Sequence, residues 1–217
     1  MSTTPPDPAA ITETRLLHKM HRAATSLLAD AAQRDTAPTD ALAELRDFLV
    51  AALRHHHESE DQTLWPQLIA ADPAFGTGLA ELSTEHDALD VALDALAAAP
   101  LQHDGDRAEL AAAAADVRDL VHKHLEREEP LLFPALAAHM PDRAWSEFSR
   151  AVIASAPPVA THLNIGFFEQ VGTPAELAVV TANLPPAALQ FVPAMGEQAR
   201  ATLYSLQSTD HGRTVTA

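Results

Sequence analysis

The sequence predicts an all-α protein. It has 217 residues, is rich in alanine, and contains only 7 glycines and 5% aromatic residues. Alanine has the highest helix propensity of all residues. Leucines recur at helical spacing along the longer segments, whereas runs of β-branched residues bounded by turn signals are scarce. The length suits one moderately large domain, or a domain with an extension.

Four long helices are predicted in the first two thirds of the chain. Proline, glycine and aspartate mark the connections between them. Because proline removes an intrahelical hydrogen bond, the second helix should bend or end around Pro66. The first predicted helix begins near Thr12 or Glu13, and the second begins at a cap formed by Thr39 or Asp40. The third is predicted from Leu79 to Ala98, and the fourth from near Arg107 to about Pro134.

Shorter helices are predicted after residue 139. Two proline pairs punctuate this part of the chain. We therefore expect three parts: a flexible N-terminal tail over 1–11, a four-helix bundle over 12–140, and a helical C-terminal extension over 141–217 that packs on the bundle. The helices predicted in the extension cover 141–154, 160–171, 174–182 and 185–206.

Composition excludes several classes of function. The formal net charge is −16, and no cluster of lysine and arginine is present to bind nucleic acid or an anionic membrane surface. The absence of cysteine excludes disulfides, thiolate metal sites and cysteine-held iron–sulfur clusters. Neither a signal peptide nor an apolar run of about 20 residues is evident. We expect a soluble cytoplasmic protein.

Two segments of the chain repeat one motif. It reads His-x3-Glu-acid-x2-Leu-aromatic-Pro-x-Leu and starts at His56 and again, 68 residues later, at His124. Residues i and i+4 project from one face of a helix. Each copy therefore places an imidazole beside a carboxylate, that of Glu60 in the first copy and that of Glu128 in the second. Such mixed nitrogen and oxygen ligands suit iron, manganese or zinc.

The same offset relates two single histidines, His18 and His86, each 38 residues before its His-x3-Glu pair. Four helices would thus direct ligands into one bundle core. His21 could replace His18 as ligand, but His18 obeys the offset. Four imidazoles and two carboxylates suffice for two metal ions if each carboxylate bridges both. The predicted metal ligands are His18, His56, Glu60, His86, His124 and Glu128.

Neighbouring residues are weaker candidates. A lone core histidine usually does no more than satisfy a hydrogen bond, whereas six ligand-type residues with the same spacing in both halves favour a metal site. Glu58 is a possible extra ligand. His57 and Asp61 form another i, i+4 pair, which we interpret as a surface or supporting pair. Asp61 or Glu129 could orient a ligand imidazole.

These residues resemble the hemerythrin-like domains, also called HHE cation-binding domains. The resemblance implies an up-and-down four-helix bundle with a carboxylate-bridged pair of non-haem iron ions that interacts with dioxygen, nitric oxide or peroxide. The family's ligands fall on the six residues named above. The matching segments are Leu17-His-Lys-Met-His-Arg-Ala23, His56-His-Glu-Ser-Glu-Asp61, Glu85-His-Asp-Ala-Leu89 and His124-Leu-Glu-Arg-Glu-Glu129.

The sequence departs from the family's oxygen carriers at one place. Those proteins carry a His-x3-His pair on the third helix, whereas Asp90 follows His86 at i+4 and Leu82 precedes it at i−4. Sensing, stress response and iron handling therefore become the expected roles. The alternatives are a di-iron oxidase, peroxidase or nitric oxide reductase, and a helical interaction module with a structural metal. Ferritin-like bundles rank lower because they use Glu-x2-His pairs.

Overall fold

A computed structural model describes residues 7–101 and 106–208 of the chain, and within these ranges the regular secondary structure is entirely helical. The all-α prediction is confirmed. Four long helices carry five of the six predicted ligands, the π-helical turn after the second of them carries Glu60, and shorter helices follow. The long helices are α1 (Ala9–Ala32), α2 (Thr39–Ser59), α4 (Gly76–Ala98) and α5 (Ala108–His139), with a π-helical turn (Glu60–Leu64), α3 (Trp65–Ala71) and a 3-10 turn (Pro73–Phe75) between α2 and α4.

The long helices pack as a ring. Helix α1 contacts α2 and α5, and α4 contacts the same two helices on the other side. Two apolar clusters fill the ring at different heights. The upper cluster contains Leu28, Leu49, Leu93 and Val117, among others. The lower cluster is built from the beginnings of α1 and α4, from α3 and from the end of α5. Along the chain, the predicted ligands of each long helix come at the boundary between residues of the upper apolar cluster and residues of the lower one.

The C-terminal helices pack on one side of this ring. Helices α7 and α10 contact each other, α7 and α8 contact α1, and α10 contacts α2. The rings of Phe48 on α2 and Phe167 on α7 stack with centroids 6.2 Å apart. A Cβ added at Gly166 would lie 2.4 Å from the Ala199 Cβ, so α7 and α10 require glycine at this crossing. These helices are α6 (Asp142–Ser155), α7 (His162–Val171), α8 (Pro174–Thr181), α9 (Pro186–Leu189) and α10 (Val192–Gln207).

The start of α1 differs from the prediction. The helix begins at Ala9 rather than at Thr12 or Glu13, and Ala10 and Ile11 are buried in the lower apolar cluster. Residues 9–11 are therefore not part of a flexible tail, because burying two apolar side chains extends the helix. Residues 1–6 of the predicted tail lie outside the described residues. Helix α2 begins at Thr39 after Pro38, without the predicted side-chain cap.

Prolines end helices less often than predicted. Helix α5 continues through Pro130 and Pro134 to His139, because burial of Leu132 and Leu136 in the same turns offsets the missing hydrogen bonds. The chain also stays helical past Pro66, which occupies the first turn of α3. The single helix predicted over 185–206 is divided into α9 and α10. No helix among the described residues is both long enough and apolar enough to cross a membrane.

Candidate metal centre

Two histidines and two glutamates form the first half of the centre, which we call cluster A. It consists of His18 on α1, His56 on α2, Glu60 in the π-helical turn and Glu128 on α5. One ligand atom from each residue lies within 4.8 Å of the others, and all four residues are buried. His18 Nε2 is 3.6 Å from Glu128 Oε1, and His56 Nε2 is 3.6 Å from Glu60 Oε1.

The remaining two histidines face the same two carboxylates and define cluster B. It consists of His86 on α4, His124 on α5, Glu60 and Glu128. His86 Nε2 is 3.6 Å from Glu60 Oε2, and His124 Nε2 is 3.2 Å from Glu128 Oε2. The two Nε2 atoms lie 3.2 Å apart. Each carboxylate thus turns one oxygen towards a histidine of cluster A and the other towards a histidine of cluster B, which is the arrangement of a bridging ligand.

The two His-x3-Glu pairs differ in backbone structure. His124 and Glu128 lie on the continuous helix α5, whereas Glu60 begins the π-helical turn that follows α2. A π turn inserts a wider hydrogen-bonded ring into a helix and is frequent at functional sites. It lies directly before Trp65 and Pro66. The second copy of the motif therefore lies on a regular helix, whereas the first copy runs through a π-helical turn.

Carboxylates orient three of the four cluster histidines. The Nδ1 atom of His18 lies 3.1 Å from Glu129 Oε1, that of His86 lies 2.9 Å from Asp61 Oδ2, and that of His124 lies 2.9 Å from Glu85 Oε2. A carboxylate accepts a hydrogen bond, so each Nδ1 carries the proton and each Nε2 directs its lone pair inward. Metal-binding histidines in proteins have this pattern of support.

Basic residues hold two of the orienting carboxylates. Arg22 Nη1 donates to Glu129 at 2.6 Å, and Arg127 pairs with Glu85. Burial by itself would raise the pKa of Glu129, but the hydrogen bonds from His18 and Arg22 lower it to about 2. Glu129 therefore stays ionised and keeps accepting from His18. Asp61 and Glu129 had been predicted to orient ligands. Glu85 had not, although it directly precedes His86.

The two shared carboxylates have unequal acidity. Burial raises the pKa of Glu60 well above its ordinary value, and the neighbouring Glu128 carboxylate raises it further. Burial also acts to raise the pKa of Glu128, but His18 and His124 bring it below its ordinary value. Two neighbouring buried carboxylates repel each other when both are ionised, so positive charge between Glu60 and Glu128 would stabilise the pair.

The polar atoms that face the centre fit a cation. Several of them are buried without a hydrogen-bond partner in the protein, which is costly for polar groups. Imidazole nitrogen and carboxylate oxygen are ligands that iron, manganese and zinc accept. The donor set therefore fits a metal pair. The unpartnered atoms are His18 Nε2, His56 Nε2, Glu60 Oε2, Glu128 Oε1 and Glu128 Oε2.

Two further histidines are buried beside the clusters. The ring of His21 lies 4.8 Å from that of His56, and burial, with a contribution from His18, lowers the pKa of His21 to about 3. The ring of His57 stacks on that of His86 at 4.3 Å. Both are neutral at pH 7, because burial also holds the pKa of His57 well below its ordinary value.

Both members of the predicted His57 and Asp61 pair contact His86, which agrees with a supporting role and not with a surface one. Asp61 contacts the Nδ1 atom of His86, and His57 Nδ1 lies 3.5 Å from Asp90 Oδ1. His57 is buried rather than on the surface, because its position on α2 faces α4. Glu58, considered as an extra ligand, is exposed.

One more histidine and two aromatic residues lie around the centre. His55 points away from the centre and contacts Ser155 Oγ at 3.0 Å. The ring of Trp65 lies 6.3 Å from that of His86 and the ring of Phe133 lies 6.1 Å from that of His18, so they wall the apolar end of the centre.

The chain matches one family model, described as the hemerythrin HHE cation-binding domain, over residues 12–142. This match covers more than half of the sequence and all six residues of clusters A and B. The chain therefore belongs to the hemerythrin HHE cation-binding family. A search of curated proteins and a search of solved structures each found no match.

Proposed function

We propose that this chain is a hemerythrin-like non-haem di-iron protein that binds or reacts with dioxygen, nitric oxide or peroxide. One iron ion would be held by cluster A and the other by cluster B. Glu60 and Glu128 would bridge them, and the four long helices would form an up-and-down bundle around them. The observation that carries the proposal is the placement of the two carboxylates, each with one oxygen towards each histidine pair.

The ligand count favours sensing, stress response or iron handling over reversible oxygen carriage. Each cluster has two imidazoles, and the position four residues after His86 is Asp90, whose side chain is half exposed and lies beside His57. An iron pair with open coordination positions can bind a small ligand, and this is the chemistry that the metal would supply. Within the protein, Glu129, Asp61 and Glu85 hold the imidazoles in the orientation that such binding needs.

A di-iron oxidoreductase is the second candidate. It is favoured by one observation: His56 and Glu60 of cluster A also line an apolar cavity that is large enough for an organic molecule. An enzyme would turn over peroxide, nitric oxide or an organic substrate steadily, whereas a binding protein would react once per centre.

The metal content of two neighbouring variants tests the assignment. Protein from iron-supplemented cells should contain two iron ions per chain and show near-ultraviolet bands that bleach on anaerobic reduction and return in air. His56→Ala should lose iron. His55→Ala is the matched control, because this half-buried neighbour contacts Ser155 instead. Two irons retained in His56→Ala would refute the ligand set, and one zinc with a featureless spectrum would favour a structural metal.

A further inference from the structure

A cavity of about 290 Å³ lies between the metal centre and the C-terminal helices. Its walls come from α1 and α2 on one side and from α6, α7 and the helices that follow on the other. The metal-binding family match ends at residue 142, so much of this cavity is built by the part of the chain beyond it.

The cavity reaches cluster A. His56 and Glu60 belong to both, and His21 forms part of the wall between them. Both ring nitrogens of His21 lack a hydrogen-bond partner in the protein, and the residue is 1% exposed. A buried polar side chain without a partner is costly. A ligand with one hydroxyl or carbonyl group could supply that partner to His21.

The size of the cavity indicates an organic ligand. A water molecule occupies about 30 Å³ in the liquid, so the space exceeds what a diatomic gas needs by a large factor. It lies near the lower limit of pockets that bind small organic molecules, which is about 300 Å³. A molecule of roughly a dozen non-hydrogen atoms fits this volume.

The chemistry of the wall indicates an uncharged ligand. Most of the lining side chains are apolar, and among the described lining residues none is lysine or arginine that could pair with an anion. Glu13 lines the far side, but its oxygens already accept hydrogen bonds from Trp145 Nε1 at 2.7 Å, Ser149 Oγ at 2.5 Å and Asn183 Nδ2 at 3.2 Å. It is therefore not free to bind a cation, and the other carboxylate of the wall, that of Glu60, has its two oxygens directed at His56 and His86. The apolar wall includes Leu17, Phe48, Phe148, Ile153, Ile165 and Phe168.

We propose that this cavity binds an uncharged, mainly apolar organic molecule of roughly a dozen non-hydrogen atoms. Its single hydroxyl or carbonyl group bonds to His21, and its apolar body extends between α2 and the C-terminal helices. That polar end then lies beside His56 and Glu60, next to the metal centre. The binding depends on the walls of the cavity and not on the identity of the metal.

Titration of the full-length protein, as purified and with its metal content measured, tests this proposal. The probes are 1-decanol, decanoate and decylammonium, with binding followed by calorimetry and by the fluorescence of Trp145, which lines the cavity. We expect saturable binding of 1-decanol and at least tenfold weaker binding of the two ions, because the wall leaves a charge unpaired. No saturable binding of 1-decanol, or equal binding of an ion, would overturn the proposal.

Variants locate the ligand. Ala52→Phe and Val152→Phe fill the cavity from α2 and from α6, and each should weaken 1-decanol binding by more than tenfold. Ala95→Phe places the same side chain on an exposed position of α4 and should bind normally. His21→Phe should weaken 1-decanol binding roughly fivefold, the loss expected for one neutral hydrogen bond. Thermal melting identifies any variant that fails to fold, and unchanged binding by both filling variants would contradict the site.

Removal of the metal by chelation separates this proposal from the metal assignment. Binding of 1-decanol that persists after chelation is the expected result, because the walls and His21 belong to the protein. Binding that disappears with the metal would show that the ligand is held by the metal and would overturn the role of His21. Failure to find iron would refute the di-iron proposal and leave the titration unaffected.

Discussion

Clusters A and B share two carboxylates but differ in their surroundings. In cluster B, both histidines are oriented by carboxylates, Asp61 and Glu85. In cluster A, His18 has Glu129, whereas His56 borders the apolar cavity. The histidines of cluster B are therefore surrounded by charged groups, whereas one histidine of cluster A borders an apolar cavity.

The 68-residue offset shows where this difference arises. Asp61 and Glu129 are equivalent under the offset, and each orients the single histidine of the other half. The position equivalent to Glu85 is Leu17, which lines the cavity. The repeat thus keeps the histidines and glutamates of the two clusters, whereas the residues that break it differ between the two sides.

Two buried histidines also break the repeat. The position equivalent to His21 is Leu89, and the position equivalent to His57 is Leu125. The ring of His21 lies beside that of His56 in cluster A. The ring of His57 stacks on that of His86 in cluster B at 4.3 Å and lies 5.7 Å from that of His56. The two clusters therefore contain the same types of residue but have different neighbours.

Loss of a shared carboxylate should have the largest effect, because it removes a ligand from both clusters. Glu128→Ala should lose both metal ions, as measured by metal analysis of the purified protein. Glu126→Ala is the matched control, since it removes an exposed carboxylate from the same helix. A Glu128→Ala protein that keeps one ion at full occupancy would show that the carboxylate does not bridge.

Loss of a single histidine should affect one cluster. His18→Ala should empty cluster A and His86→Ala cluster B, each leaving about one ion per chain, because the remaining cluster keeps four ligands. Metal titration with a spectroscopic readout resolves the two positions. Loss of both ions in both variants would mean that the clusters fill only together.

Loss of an orienting carboxylate should have a smaller effect. Glu85→Gln should weaken metal binding in cluster B by about 10–100-fold, because the neutral amide oxygen is a weaker acceptor for the His124 Nδ1–H than the carboxylate. Glu81→Gln tests the alternative that only the ion pair with Arg127 matters, since Glu81 contacts the same arginine at 3.3 Å. Equal loss of metal affinity in both variants would contradict an orienting role for Glu85.

Disturbance of the C-terminal helices should affect the cavity and spare the metal. Gly166→Ala should lower the free energy of unfolding by about 1–3 kcal/mol, because the new Cβ overlaps Ala199. Gly76→Ala is the control, as nothing lies within 4 Å of a Cβ added there. Chemical denaturation measures the change, and metal analysis should still find the wild-type content. Loss of metal in Gly166→Ala would mean that the two regions are coupled.

That these six residues lie close together could be predicted from the sequence, because the spacing that relates them is local. An i, i+4 pair on a helix needs no knowledge of the fold, and the repeated offset connects His18 and His86 to the two pairs. The all-α fold followed from composition and periodicity. The assignment of these residues as ligands, the domain boundaries and the cytoplasmic location stay predictions.

Features that depend on packing between helices could not be predicted. The burial of His57 depends on which side of α2 faces α4. The π-helical turn at Glu60–Leu64 carries no composition signal of its own. The cavity requires the C-terminal helices to lie beside α1 and α2. The sequence of the C-terminal helices does not indicate which of the long helices they pack against. The orienting role of Glu85 is the exception, since this carboxylate directly precedes the predicted ligand His86 in the sequence.

Anomalous diffraction at the iron absorption edge, from crystals of the iron-loaded protein, tests the central claim most directly. We predict two peaks about 3.5–4 Å apart, the spacing of two-metal sites. One should be bound by His18 and His56, the other by His86 and His124, with Glu60 and Glu128 between them. A single peak, or two peaks that share neither carboxylate, would contradict the bridged pair.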